Sequence, residues 1–320
     1  FSIHNPSLRY INNFRKVKIF VNKESSLVDN FVISDGLIDY TTTIISKNEK
    51  RIFESPLDYF PEFRTGYEYE VFFRVKDLKG NAFKNYTLKN GQPLLLSRNY
   101  DKHIENKLVS ITLEDDGTLT IFDKNSLKTH KKQNNFFSSL DNGDEYNYSK
   151  PENDQISSVE LTDFYVNTST YYQELHYTLE LQVPRSLNFE RTSGTEESVK
   201  NKLDIVVSIT DDSKAIDVKV TYQNQAKNQR TRVSFAQSET LTKHYSDTPF
   251  DIVERHIRNE EFKADKSKEV PVVVDPSSSL IVLDNGFRLD HFGLNEYQVN
   301  QNCLAVTLMR SVGDLSRDDF

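Results

Sequence analysis

The chain has 320 residues, with 40 basic and 48 acidic side chains mixed along its length and a formal net charge of −8, which argues against a nucleic-acid footprint or a basic membrane-surface patch. Its single cysteine, Cys303, excludes an intramolecular disulfide framework and, lying in an apolar run, reads as a buried thiol of a protein in a reducing cytoplasm. No apolar run approaches the roughly eighteen residues of a membrane-spanning helix.

Sixteen tyrosines and 21 phenylalanines without a tryptophan favour pleated, half-buried surfaces, so the composition leans to β. The first residue is Phe1 and the one methionine is Met309, so the chain reads as a fragment or a processed product. Val17, Ile19 and Val21 alternate with polar residues, as do Tyr67, Tyr69, Val71, Phe73 and Val75 further on. Both sets have the period of strands, and residues 1–92 are expected to form a small β-sandwich. Asn90-Gly91-Gln92-Pro93 breaks the pattern and marks the start of a larger domain, 93–320.

In that domain Val109, Ile111 and Leu113 run into Asp115-Asp116-Gly117, a hairpin signal answered by Leu119 and Ile121. A long strand, Leu175 to Val183, ends at Pro184, and Arg185 to Lys202, rich in Ser, Thr and Glu, reads as an exposed excursion. Hairpins follow around Asp211–Lys214 and Asp284–Gly286, and Leu304, Val306 and Leu308 alternate near the end. Only short segments such as Phe250 to Asn259 leave room for a helix, so the fold class is all-β.

Between Ser138 and Ser158 lies Asn142-Gly143-Asp144-Glu145-Tyr146-Asn147-Tyr148-Ser149, a loop with carboxylates and tyrosines side by side. That mixture suits a polyhydroxylated ligand needing stacking and hydrogen bonds together; the tyrosines pinning the loop to the domain is the alternative. Asp144 and Glu145, being adjacent, point apart and cannot flank one glycosidic bond as a pair. A second loop carries Arg255, suited to a bidentate ligand contact or to a salt bridge with Asp251 or Glu254. The seven histidines are scattered with no zinc-motif spacing, and no nucleophile elbow or phosphate loop is present.

Several pieces together resemble a known family. They are Ile104–Val109 leading to Glu114–Leu119, Gly143–Ser149, Arg230–Phe235, Phe250–Arg255, Leu283–Phe287 and the stretch from Thr307 to Asp318. In order and spacing they resemble the C-terminal β-rich part of glycoside hydrolase family 38, the α-mannosidases, closest to the bacterial mannosylglycerate hydrolase-like branch. The resemblance implies a galactose-mutarotase-like β-supersandwich for 93–320, its last strands lying past Phe320. It implies a retaining mechanism run by a zinc ion and an aspartate on a separate upstream domain, so the chain alone is expected to be inactive and to hold no metal or cofactor. That catalytic domain and a mannose-containing substrate are the implied partners, with no nucleic acid or membrane, and a homo-oligomer is left open. Tyr146 looks like the family's β-domain tyrosine near the substrate and Arg255 like its substrate-side arginine, with Asp144 and Tyr148 behind them. Gln229-Arg230 stands where the family often has His-Arg. The alternative is a free-standing carbohydrate-binding or mutarotase-like sandwich, the latter needing a His and a carboxylate converging on one face.

Overall fold

The structure, a computed structural model, describes residues 1–257 and 273–313, and among them every regular element is a β-strand. Ile252–His256, in the segment with room for a helix, is a strand paired antiparallel with Lys243–Asp247. No helix of the described residues is long and apolar enough to cross a membrane. The last residues of the Thr307–Asp318 stretch lie outside the described residues.

The chain divides into two compact units. One is Phe1–Tyr100 with Val166–Glu174 and Ser208–Asp217; the other is Asp101–Tyr165, Leu175–Val207 and Val218–Phe320. The first unit thus takes in strand ends far along the chain, which local turn signals at Asn90–Pro93 do not register.

In the first unit a four-stranded sheet, built on Ile11–Asn22, Thr42–Glu54 and Glu62–Leu78, encloses a core with a three-stranded sheet of Asp39–Tyr40, Phe31–Ser34 and Thr87–Asn90. Tyr69, Val71, Phe73 and Val75 are fully buried there, as the period of two requires. Phe72, on the other face, is buried as well, stacked on Phe14 with ring centroids 4.7 Å apart.

In the second unit the hairpin Val109–Leu113/Leu119–Asp123 turns at Gly117, whose positive φ of 78° suits glycine and whose absent Cβ leaves room for Leu179. Leu175, Tyr177, Leu179, Leu181 and Val183 are all buried. The site rests on a five-stranded sheet in the order Asn135–Leu140, Gln229–Ala236, Cys303–Ser311, Glu296–Asn300, Asp275–Pro276. Its core face carries Phe136, Leu140, Val233, Phe235, Leu304, Val306 and Tyr297. Arg230, Arg232, Glu296 and Gln298 alternate onto the opposite face. Cys303 is half-buried and burial pushes its thiol pKa up.

The stretch Arg185–Lys202 departs from an exposed excursion. Leu187 and Asn201 are buried, and Ser198 onward is already strand. Asn188 Oδ1 accepts the N–H groups of Thr192 and Ser193 at 2.9 and 3.3 Å, and Asn153 N–H reaches Thr192 O at 2.9 Å. Polar composition reported the residue types but not the partners that fold them into a tight turn.

Candidate functional site

The loop leaves the sheet after Leu140, and Asp141 is its anchor. Completely buried, Asp141 accepts the Gly143 and Ser149 N–H groups through Oδ1 at 2.9 and 3.3 Å and Arg310 Nε through Oδ2 at 2.7 Å. Asn142 N–H closes the ring onto Ser149 O at 2.7 Å. Gly143 is required for close approach, since a Cβ there would lie 1.8 Å from Asn147 O. Arg310 Nη2 also donates to the carbonyls of Asp144 and Asn147 at 2.9 and 2.8 Å, so one guanidinium ties the root of the loop to its crest. From the other side Arg191 donates to Asn142 Oδ1 at 2.7 Å and to its carbonyl at 3.2 Å.

The candidates in this loop have different fates. Asp144 accepts the N–H groups of Tyr146 and Asn147 at 2.9 and 2.8 Å, and those bonds, Asn147's first, hold its pKa below the usual carboxylate range. It shapes the turn. Tyr146 then projects into solvent at 80% exposure. Tyr148 folds back half-buried, with the Arg230 guanidinium 4.4 Å from its ring centroid, and burial raises its pKa. One tyrosine therefore pins the loop and the other is presented by it.

Arg230 is 2% exposed and donates through Nε and Nη2 to Glu296 Oε1 at 3.0 and 2.7 Å, while the Thr307 hydroxyl bonds the same oxygen. Glu296 and its neighbour Tyr297 point to opposite faces of the sheet. Tyr297 OH meets His244 Nδ1 at 3.0 Å, and Arg255 lies on that side. Arg255 and the Tyr148–Arg230 pair thus stand on opposite faces of one sheet. The Arg255 Nε lies 3.3 Å from buried Asp275 and its Nη1 donates to Ser246 Oγ. It does form an ion pair, but with Asp275; Glu254 is bound to Lys243 at 2.9 Å and Asp251 Oδ1 accepts the Ile252 N–H. Of the histidines open to a mutarotase-like role, His176 stacks on Tyr165 with centroids 4.4 Å apart, and His244, 3.7 Å from Asp275, is buried with it.

A cleft of about 360 Å³ lies elsewhere in this unit, lined by Asp247, Pro249, Pro276, Ser277 and Asn295 among others, and none of the four candidates borders it. Asp247 organises its wall, accepting Ser277 Oγ and the N–H groups of Ser278, Ser279 and Leu280 at 2.8 to 3.1 Å, with the Ser279 hydroxyl at 2.6 Å. Burial pushes its pKa up, but these bonds, led by Ser279, outweigh it and hold the carboxyl well below the usual range. Since its folded pKa is the lower one, its stabilisation is present above the unfolded value of about 3.9 and is lost as pH falls through the folded value. Thermal unfolding of Asp247→Asn should therefore fall less steeply than wild type below about pH 5; parallel slopes would remove Asp247 from the acid limb.

The family model described as Glycosyl hydrolases family 38 C-terminal domain matches residues 104–290, more than half of the chain. The chain belongs to this family. A protein of Halalkalibacterium halodurans named "Putative mannosylglycerate hydrolase" is 24% identical over 287 residues, 83% of this chain and 30% of that protein. An alpha-mannosidase from Enterococcus faecalis V583 shares the fold with a TM-score of 0.78 at 20% identity, over 98% of this chain and 40% of that one. A family 38 protein from Enterococcus faecalis does so at 0.77 and 18% identity, over 98% and 41%. This family 38 chain thus spans well under half the length of these relatives.

In it, Asp141, Arg191, Arg230 and Arg310 build the site without having stood among the candidates. Arg230 and Arg310 lie in stretches that carry the sequence resemblance, and Arg310 is the one cation of its strand, a signal that could have singled it out; Arg230 shares its strand with Arg232. Asp141 and Arg191 carry no such signal.

Proposed function

We propose that this chain is the β-rich C-terminal portion of a retaining α-mannosidase-type hydrolase of bacterial, cytoplasmic origin, which braces a zinc-dependent catalytic domain and lends its sugar site the loop 141–149. The observation that carries the reading is Tyr146, exposed at the crest of a loop whose root is a buried ion pair. An exposed ring on a rigid mount loses little conformational freedom when it meets a sugar. Asp144 and Tyr148 hold that ring in place from below. Arg255 enters as a positioning residue at the far face of the sheet.

Among the described residues no three His, Cys, Asp or Glu side chains group to hold a metal ion. The zinc of the reading is accordingly assigned to the catalytic domain rather than to these residues. A further support is the outer end of the hairpin Thr42–Glu54/Glu62–Leu78. The strand Ile11–Asn22 accompanies it only as far as Gly66, and beyond that a two-stranded ribbon exposes Phe53, Leu57, Tyr59, Phe60 and Phe63. Such a ribbon is marginal in water alone and suits a surface covered by another part of the protein.

The test is kinetic. In the longer protein, Tyr146→Phe should lower kcat/KM for an aryl α-mannoside about tenfold with unfolding unchanged, as for a lost ligand hydrogen bond. Wild-type kinetics would assign the loop to structure. The 320-residue chain alone, supplied with zinc, should not turn the substrate over; metal-dependent turnover would overturn the division of labour.

A further inference from the structure

The turn that braces the Tyr146 loop from the side presents a ring of its own. Residues 187–194 form a narrow hairpin: Leu187 pairs with Gly194, Asn188 N–H donates to Ser193 O at 2.8 Å, and Arg191 N–H donates to Asn188 O at 3.0 Å. Leu187 is buried at its base, and Asn153 N–H holds its returning arm through Thr192 O at 2.9 Å. From its tip Arg191 donates through Nε to Asn142 Oδ1 at 2.7 Å, at the foot of the Tyr146 loop. Phe189 stands at the corner of this fixed turn and is 98% exposed.

Nothing in the turn itself calls for that ring. The corner of a tight turn is served by proline or a small polar residue, and a phenylalanine left in water forgoes the gain of burial. The two tips moreover carry the same pair of groups. Glu145 and Tyr146 stand exposed on one, Phe189 and Glu190 on the other. A ring beside a carboxylate offers a stacking face together with acceptors for hydroxyl groups, the combination that suits a pyranose. Because Arg191 joins the two tips, their spacing is set before a ligand arrives, and a ligand spanning both has little left to order.

We propose that Phe189 and Glu190 form a second sugar subsite beside the one that Tyr146 serves, so that the ligand is an oligosaccharide of at least two rings. Phe189 stacks on a face of the second ring and Glu190 accepts from its hydroxyl groups. The inference rests on the proposed hydrolase function for the identity of the sugar, while the placement of the two tips stands without it. The competing role for Phe189 is a peg that seats another part of the longer protein.

The experiment is calorimetric titration of the longer protein with a thio-linked α-mannobiose, which resists hydrolysis, and with methyl α-mannoside, alongside turnover of an aryl α-mannoside. The disaccharide should bind the wild type more tightly than the monosaccharide does. Phe189→Ala should weaken disaccharide binding about fivefold, the scale of one aromatic contact, and Phe189→Tyr, which keeps the ring, should stay within about twofold of wild type. No disaccharide binding, equal weakening for both ligands, or wild-type disaccharide affinity in Phe189→Ala would overturn the subsite. In the last case a lowered unfolding stability of that variant would assign Phe189 to the peg. Binding that depends on Phe189 in a protein that turns over no mannoside would overturn the hydrolase function and leave the subsite standing.

Discussion

Arg310→Ala is expected to destabilise the second unit by about 3–5 kcal/mol, the range found when one partner of a buried ion pair is removed. Asp141 is completely buried and its Oδ2 has Arg310 Nε at 2.7 Å. With Arg310 gone, that carboxylate keeps only the N–H groups of Gly143 and Ser149. An exposed pair such as Arg288–Asp290, with side chains 63% and 64% exposed, would be worth only about 0–1 kcal/mol by comparison. The loss has a local signature as well, because the carbonyls of Asp144 and Asn147 are released together. Urea unfolding measures the first effect. Faster proteolysis between Asn142 and Ser149 measures the second, and Arg310→Lys, retaining charge without the fork, should fall between. A change below about 1 kcal/mol with an intact loop would mean that Arg191 and the Asp144 turn hold the crest unaided.

What could be read from the sequence follows from how far apart the interacting residues are. Alternation over Tyr69 to Val75 and Leu175 to Val183 is local, and it marks one buried face of each strand, although Phe72 on the other face is buried as well. The Asp116-Gly117 hairpin is likewise local. The loop at Asn142–Ser149 was visible because glycine, carboxylates and tyrosines crowd together. Its anchor was not, since Asp141 and Arg310 are separated by 169 positions and meet only through the pairing of Gln229–Ala236 with both neighbouring strands. The same limit misassigned the partner of Arg255. Asp251 and Glu254 are near in sequence, but on a strand near neighbours point elsewhere, and Asp275 arrives from another strand.

Glu296→Ala carries the other large expectation, a loss of about 3–5 kcal/mol. It leaves Arg230, at 2% exposure, without the carboxylate that takes its Nε and Nη2. Glu296→Gln keeps an acceptor for Arg230 and Thr307 while removing the charge, so its loss should be smaller, about 1.5–3 kcal/mol. The decisive comparison is the double replacement Arg230→Met with Glu296→Leu, measured by urea unfolding in a double-mutant cycle. Apolar pairs of similar volume often replace buried ion pairs at no loss of stability, so recovery of most of the single-mutant deficit is expected. Recovery would mean that Arg230 and Glu296 specify the arrangement of this face rather than stabilise it. Tyr148 would then have lost the cation beneath its ring, and the loop would be looser at unchanged global stability. If instead the double variant stays as unstable as Glu296→Ala, the deficit does not come from an uncompensated Arg230 but from the other groups Glu296 serves, the Thr307 hydroxyl among them.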